Sequence, residues 1–575
     1  MNKDFPYQMA RDSQKTSVLP RLGAILATVV ALMGAALALN ASFNLMPLFS
    51  DEVMLAALTS GMAHHGPGFL TTWSFTSDNY TLDAWPLLAP IYLSFGIGAT
   101  AVVVSGWLFY VFNAVMLGVV VARLVDWRWA LGAVAAALSF SGPAVTNVGF
   151  LAFTVSHDST WLLALCGWAL FLWRRPVALW QNMLLGVIFC GTISDPWFDA
   201  ACTLPLAITL WFSDYWQDGS REANRRLLKA VVYTYLAARL VYWLIGEEIL
   251  GCFAGRNTGL SFRHIGEHAV WVAKDLAALV GAPRHPLAVV IALFLWTSIL
   301  LMVLVKGFAR HALEPRHATF LSLGALSGGG LLLAGLLSGY TTNAMSGRYF
   351  INVTYIALAA GVLGLAVACK QRWRLPSLAL AAGLAIFVGL GFRSLVGVPL
   401  SFRPIGAGDH RLLNALENRH MGVGLGPYFG GVNANTSRSW NGGRRPVLPV
   451  TINHHGQIAP SYVQASRSWF HPSRGTPNGF LIMPLGPQGV WRKAALRTFG
   501  KPRAVLHEGP FLVWVWRQDL LQTIHKDRVA NHEAWERFNV ARNRAGIRKA
   551  CRTLGISDQG LQHLYSWLLS RHFAD

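Results

Sequence analysis

The sequence predicts an α-helical polytopic membrane protein of about 11 transmembrane helices, followed by an extracytoplasmic mixed α/β domain and a basic helical tail. Three observations carry this. Of 575 residues, 53% are hydrophobic and only 13% charged, about half the charged share of a soluble globular chain. About eleven apolar runs approach the roughly 20 residues a helix needs to cross a bilayer core. Lys and Arg collect in alternate connectors between those runs, the bias that sets membrane orientation.

The first run, 22–44, is too long for a cleaved signal peptide and has no small-residue cleavage site followed by a soluble domain, so it is expected to stay as a helix. Further spans are expected at 97–122, 127–143, 158–174, 179–194, 198–213, 229–250, 286–306, 318–339, 349–369 and 377–396. Lys3, Arg11, Lys15 and Arg21 precede the first span, and no Lys or Arg follows until Arg123. The N-terminus is therefore expected on the cytoplasmic side. Arg123/Arg128, Arg174/Arg175, Arg221/Arg225/Arg226, Lys306/Arg310/Arg316 and Lys370/Arg372/Arg374 repeat the signal in alternate connectors. The intervening connectors 45–96, 144–157, 194–198, 251–285 and 340–348 are then outward, and the first three contain no Lys or Arg. Residues 1–397 read as a multi-pass unit of a bacterial-type inner membrane, with long outer loops at 45–96 and 251–285.

Beyond residue 397 the composition changes. Gly, Pro, Asn and Ser rise, and strand-like runs such as "RPVLPVTI" and "GPFLVWVWR" alternate with turn signals such as "NGG". Residues 398–520 are expected to form the extracytoplasmic α/β domain. Residues 521–575, with "AWERFNVARNRAGIRKACRTLG" and "LQHLYSWLLSRHF", have helical periodicity and many basic positions, which suit a solvated tail or an interfacial helical pair. The net charge of +21 lies mostly in short connectors and in this last third, so nucleic acid is not the partner it implies. Six cysteines show neither a disulfide framework nor zinc spacing.

The ionisable residues of the outer connectors are the candidates for chemistry. Asp51 and Glu52 follow Ser50, a good N-cap, and open a run whose Val53, Met54, Ala57, Leu58 and Met62 share a helical face. Acids in a first turn gain about 0.3–1 kcal/mol from the helix dipole, which accounts for their place but not for the lack of any nearby basic residue. The second outer connector ends in His157 and Asp158, and Ser156 or Asp158 is placed to cap the next helix. The third, "SDPWFDA", has Asp195 and Asp199 around a turn set by Pro196, and Glu247 and Glu248 close the seventh span. Polar groups at such depth usually face a protein interior or a water-filled cavity. Arg348 runs against the orientation bias at the outer start of the tenth span. It either snorkels or binds a phosphate through its planar fork. Arg256, Arg263, Lys274 and Arg284 of the fourth outer loop are placed to guide an anionic headgroup. Acids and a phosphate-binding arginine on one membrane face suggest group transfer from a phosphorylated lipid. The donor must be carried outward by a lipid, because no Gly-rich phosphate loop or Asp-x-Asp pair stands on a cytoplasmic connector.

In this layout the chain resembles the GT-C class of integral membrane glycosyltransferases, which includes the protein O-mannosyltransferases and the lipid A aminoarabinose transferase. The resemblance rests on Ser50-Asp51-Glu52 in the first outer loop, "SHDST" in the second, Arg348-Tyr349 late in the chain, and the Gly/aromatic stretch "MGVGLGPYFGGVNANTSRSWNGGRRPVLPV" of an outer C-terminal domain. It covers about residues 20–520. It implies a sugar donor on a polyprenyl phosphate, an acceptor lipid, glycan or protein of the cell envelope, and inverting displacement at the anomeric carbon. Asp51 would then be the general base, with Asp158 beside it in the catalytic set. Arg348 and Tyr349, helped by Arg256 and Arg263, would hold the donor phosphate. Glu52, His157 and Asp195 would orient the acceptor or hold a divalent metal, whose requirement the resemblance leaves open.

Two other classes share part of the pattern. A lipid-linked polysaccharide polymerase would rely on arginine-rich outer loops, which the first three connectors lack. A lipid or sugar transporter or flippase would show paired half-repeats and charges near the bilayer midplane, whereas the ionisable residues here concentrate at span ends. His264-Ile265-Gly266-Glu267-His268 matches the H-x-x-E-H pattern of inverted zinc peptidases, but that pattern needs a third acidic ligand downstream and a helix, which Gly266 weakens. His64-His65 and His454-His455 read as turn or interface residues, and "GLLLAGLLSG" as a close-packing helix face.

Overall fold

The computed structural model describes residues 18–46, 50–76, 78–173, 178–213, 221–243, 262–310, 313–337, 341, 343–401, 407–428, 447–453, 455–461, 464–470, 478–484 and 488–524. Glu247, Glu248, Arg256, His454 and residues 525–575 of the expected tail lie outside these residues. Each of the eleven expected spans overlaps a helix, 127–143 only in part and 229–250 only as far as Trp243. Among the described residues six helices, against the eleven spans expected, are long and apolar enough to cross a membrane: Leu22–Leu45, Ala99–Leu124, Pro286–Ala309, Pro315–Leu337, Ala344–Lys370 and Arg374–Val396.

The chain opens with α1 (Val18–Leu45), α2 (Ser50–His65), the single turn α3 (Phe69–Thr72) and α4 (Trp85–Phe95). α5 (Ala99–Leu124) and α6 (Trp127–Ala137) follow as an antiparallel pair. Asp126 starts α6 by accepting from the Arg128 and Trp129 amides, at 2.8 and 3.3 Å. The expected span 127–143 is corrected here: α6 has 11 residues, about 16 Å of helix against the roughly 30 Å of a bilayer core. Its apolar run continues, but Ser141 caps the new turn α7 (Gly142–Val145) and Pro143 cannot extend the old one. Hydropathy cannot tell a buried half-length helix from a span.

The expected outer connector 144–157 is also not a surface loop. Apart from Pro143 and Asn147, residues 138–160 are buried. They wind against α5 before α8 (His157–Trp173) begins. Gly106 of α5 makes this approach possible, since a Cβ there would lie 2.0 Å from the Ala152 carbonyl oxygen.

α9 (Ala178–Ser194), a π-helical turn (Asp199–Thr203), α10 (Leu204–Ser213) and α11 (Arg221–Trp243) come next. α12 (Ile265–Leu279) lies on the bundle, and its C-terminal carbonyls at Ala278 and Leu279 accept from Ser141, at 3.0 and 3.1 Å. α13 (Pro286–Ala309) and α14 (Pro315–Leu337) each open on proline, where a helix loses no hydrogen bond by it. A 3₁₀ turn (Ala344–Phe350) capped by Asn343 leads into α15 (Ile351–Lys370), and α16 (Arg374–Val396) closes the bundle.

The C-terminal region is a mixed sheet, as its strand and turn signals indicate. Strands β2 (Gly424–Pro427), β3 (Val447–Ile452), β4 (Ile458–Pro460), β6 (Phe480–Ile482), β7 (Ala504–Glu508) and β8 (Phe511–Val515) stand in the order β4-β3-β2-β6-β8-β7. β2 is parallel to β3 and β6, and the remaining pairs are antiparallel. Alternate residues serve two cores. Val447, Phe480, Ile482, Val513 and Val515 face Leu412, Leu413 and Leu416 of α17 (Ala407–Asn418). Leu448, Val450, Leu481, Leu512 and Trp514 face Phe499 of α18 (Gly489–Phe499). This second core continues into Val53–Leu58 of α2, Trp73 and Tyr92.

The connector 45–96 also contributes a strand that its sequence did not announce. β1 (Trp73–Ser74) pairs antiparallel with β5 (Ala465–Ser466), in register Trp73 to Ser466 and Ser74 to Ala465.

Gly106→Ala is expected to lower the thermal midpoint of the detergent-solubilised protein, because two backbones must separate to admit the methyl group. An unchanged midpoint by scanning fluorimetry would contradict the close packing of the buried connector on α5.

Candidate functional site

The site is assembled where four segments meet: the loop 76–84, the start of α8, the turn after α9, and the 3₁₀ turn before α15. The turn after α9 is its centre. Pro196 ends the helix, and the Asp195 carboxylate folds back to accept from the Trp197 amide at 2.9 Å. Its other oxygen receives His157 Nδ1 at 2.7 Å and the Thr160 hydroxyl at 2.8 Å. His157 and Thr160 lie three apart on α8 and so share a face.

The residue before it anchors the loop. The Ser194 carbonyl accepts from the amides of Asn79 and Tyr80, at 2.8 and 3.3 Å, and its hydroxyl accepts from the Leu82 amide at 2.9 Å. Asn79 Nδ2 adds a bond to the Ile193 carbonyl at 2.8 Å. These bonds bring in two acids the sequence reading missed. Asp83 Oδ2 lies 3.0 Å from Thr160 Oγ1, and Asp78 Oδ2 accepts from the Tyr80 hydroxyl at 3.1 Å. Tyr80 itself sits at φ 54, a left-handed backbone that non-glycine residues adopt at a cost of about 1–3 kcal/mol, and such residues gather at functional sites. The only sequence signal for Asp78 and Asp83 was their place in a connector without basic residues.

The cationic side comes from the 3₁₀ turn. Tyr349 packs on the His157 ring with centroids 5.0 Å apart, and Trp197 stacks on it at 5.2 Å. Arg348 donates to the Tyr349 hydroxyl at 3.0 Å, with its guanidinium 5.6 Å from the Phe150 ring. Gly347 sets this approach, since a Cβ there would lie 2.8 Å from the Val148 carbonyl oxygen.

Proton bookkeeping distinguishes the acids. The Thr160 hydroxyl has one proton and reaches two carboxylates, Asp195 at 2.8 Å and Asp83 at 3.0 Å. Burial pushes the Asp83 carboxyl up to about 7, with the Asp195 charge adding to the effect. Burial pushes Asp195 upward too, but the His157 imidazole, the Trp197 amide and the Thr160 hydroxyl outweigh it and hold it below its ordinary value. The two carboxylates that share the Thr160 hydroxyl are thus pushed in opposite directions, Asp83 up and Asp195 down. Asp78 is also raised, by burial first and then by Asp195, against His157 and Arg348.

Of the residues expected from sequence, His157, Asp195, Arg348 and Tyr349 are brought together. Asp158 is fully buried beside them; its carbonyl accepts from Asn113 at 2.9 Å, and its carboxylate oxygens have no hydrogen-bond partner among the described residues. Glu52 is fully buried, and its carbonyl accepts from the Thr154 hydroxyl. That bond ties the first turn of α2, where Asp51 stands, to the connector leading into His157. The side chains of Ser50 and Asp51 lie outside the described set. Arg263 is exposed in the turn before α12. Asp199 pairs with Arg239 of α11 and accepts from Thr192 at 2.9 Å, a link between helices. His268 Nδ1 bonds the Leu336 carbonyl at 2.9 Å, so the H-x-x-E-H match serves packing. Among the described residues, no group of three or more His, Cys, Asp or Glu is arranged to hold a metal ion.

No family model and no curated protein matches the chain. Among solved structures, the crystal structure of ArnT from Cupriavidus metallidurans in the apo state is matched at 13% identity and a TM-score of 0.44, covering 85% of this chain and 97% of that chain.

A carboxyl raised by folding favours the folded state only below its ordinary value, and that contribution is lost as pH rises through the folded value. Asp83→Asn keeps a donor toward Thr160 but removes the ionisation. Its stability relative to the parent should increase between about pH 4 and 7, by about 1.4 kcal/mol per pH unit at most, and level off above. A stability difference independent of pH, measured by chemical unfolding, would contradict a protonated Asp83.

Proposed function

We propose that this protein is a membrane glycosyltransferase that moves a sugar from a polyprenyl-phosphate donor to a cell-envelope acceptor on the extracytoplasmic face. The observation that carries the reading is the meeting of Arg348 and Tyr349 with the His157–Asp195 pair and the Asp78/Asp83 loop. This charged site sits on a bundle in which, among the described residues, six helices are long and apolar enough to cross a membrane. A guanidinium suits a phosphate because its fork can donate two parallel hydrogen bonds. The Lys/Arg bias supports placing this end outward, with the N-terminus cytoplasmic and the C-terminal α/β domain extracytoplasmic.

In the reaction, the acceptor oxygen attacks the anomeric carbon and the carbon–oxygen bond to the lipid phosphate breaks. The bonding pair leaves on the phosphate oxygen, and configuration inverts. Asp51 takes the acceptor proton, and Arg348 stabilises the charge gathering on the leaving phosphate. Tyr349 fixes the guanidinium, while Arg256 and Arg263 guide the headgroup. Asp158, Glu52 and His157, the last held by Asp195, orient the acceptor. The tie between Glu52 and Thr154 supports Asp51 in this role, since it puts the first turn of α2 against the segment that ends in His157.

Incubation of the purified protein with a panel of polyprenyl-phosphate sugars should release polyprenyl phosphate with at least one of them. Asp51→Asn should lower turnover by about 10²–10⁴-fold without changing the thermal midpoint, and near-normal turnover would remove the base assignment. Arg348→Ala should weaken donor binding, and Arg348→Lys should restore little of it because an ammonium lacks the planar fork. Unchanged donor affinity in both variants would remove Arg348 from the phosphate site.

A further inference from the structure

We infer that Gln464, in the C-terminal α/β region, is a positioning residue for Asp78, acting through the Thr76 hydroxyl. The inference rests on the proposed reaction only for what Asp78 then does, not for the link itself.

Three hydrogen bonds run in one permitted direction. The Thr76 hydroxyl donates to the Asp78 carbonyl at 2.9 Å. A hydroxyl has one proton, so the 3.2 Å contact between Gln464 Nε2 and Thr76 Oγ1 must be donated by the amide. That assignment turns Gln464 Oε1 toward the Tyr428 hydroxyl, which donates to it. Tyr428 directly follows β2, so the chain of bonds starts on the central strand of the sheet and ends on the backbone of a site carboxylate. Gln464 is buried and sits at φ 49, a left-handed conformation that its surroundings must hold in place.

The loop is thus fastened on both sides of Asp78. From the bundle, Ser194 holds the amides of Asn79, Tyr80 and Leu82. From the C-terminal region, the Gln464 link holds Thr76, supported by the β1–β5 pairing, by Thr72 Oγ1 at 2.7 Å from Ser466 Oγ, and by Trp73 edge-on to Trp469 with centroids 5.5 Å apart. The Gln464 link reaches the Asp78 carbonyl through a single hydroxyl, Thr76 Oγ1. It therefore sets where the carboxyl points relative to Tyr80, Arg348 and His157, while the strand pairing anchors the loop as a whole.

Gln464→Glu tests the direction of the link, because a carboxylate still accepts from Tyr428 but cannot donate to Thr76. Losing one hydrogen bond of about 1 kcal/mol should speed hydrogen exchange at the Asn79, Tyr80 and Leu82 amides about fivefold, with β7 and β8 unchanged. Thr76→Val should give the same increase, Thr76→Ser should keep the parent rate, and Gln464→Glu with Thr76→Val should be no worse than either alone. Turnover with the donor that the parent uses should fall about fivefold in Gln464→Glu and stay at the parent level in Thr76→Ser. Unchanged exchange in Gln464→Glu, or additive effects in the double variant, would overturn the inference. Faster exchange in Gln464→Glu together with no transfer by the parent would uphold the link and overturn the transferase reading.

Discussion

The hydrogen bonds that converge on Ser194 and Asp195 hold the candidate site together. One residue fastens the acidic loop through its carbonyl and hydroxyl; the next collects His157, Thr160 and its own turn. Without them the 78–83 loop would be an exposed connector, and its two acids would have no reason to lie against α8. The buried location gives these bonds their value. A polar group taken out of water without a partner costs about 1–3 kcal/mol, so the arrangement is stable only when most of its donors and acceptors are matched. Two aspartates that share the Thr160 hydroxyl are set apart by their surroundings, burial raising Asp83 while His157 holds Asp195 down.

Much of the fold was legible because lipid imposes a coarse rule. Long apolar runs located the helices, six of which are long and apolar enough to cross a membrane among the described residues, and strand-like runs announced the C-terminal sheet. The rule failed where protein replaces lipid as the surroundings. Residues 127–143 read as a span because Trp127–Ala137 and the buried segment after it are equally apolar. The connector 144–157 read as an outer loop because buried irregular backbone has no periodicity.

The candidate site was legible in part, for a similar reason. His157, Asp195, Arg348 and Tyr349 stand at helix ends, where local sequence places them, and they do meet. Asp78 and Asp83 stand in a loop whose course is set by Ser194 and by β5, partners more than a hundred residues away. No local pattern encodes such a contact. The same holds for the shared core of α2, Trp73 and the sheet, which makes the C-terminal region part of the site's support.

The short length of α6 has a consequence for depth. α5 has 26 residues, about 39 Å of helix, and Asn113 lies about 21 Å along it from Ala99. Asn113 is the residue whose amide holds the Asp158 carbonyl, so α8 starts near the middle of α5 rather than level with its end. α6 leaves room for this by stopping at Ala137, where the Tyr110 hydroxyl meets its last carbonyl at 3.3 Å. His157 thus stands near mid-height of α5, packed between Trp197 and Tyr349, and the 78–83 loop reaches that level through Ser194 and Thr160. Anything that reaches His157 from the Ala99 end has to pass about half the length of α5.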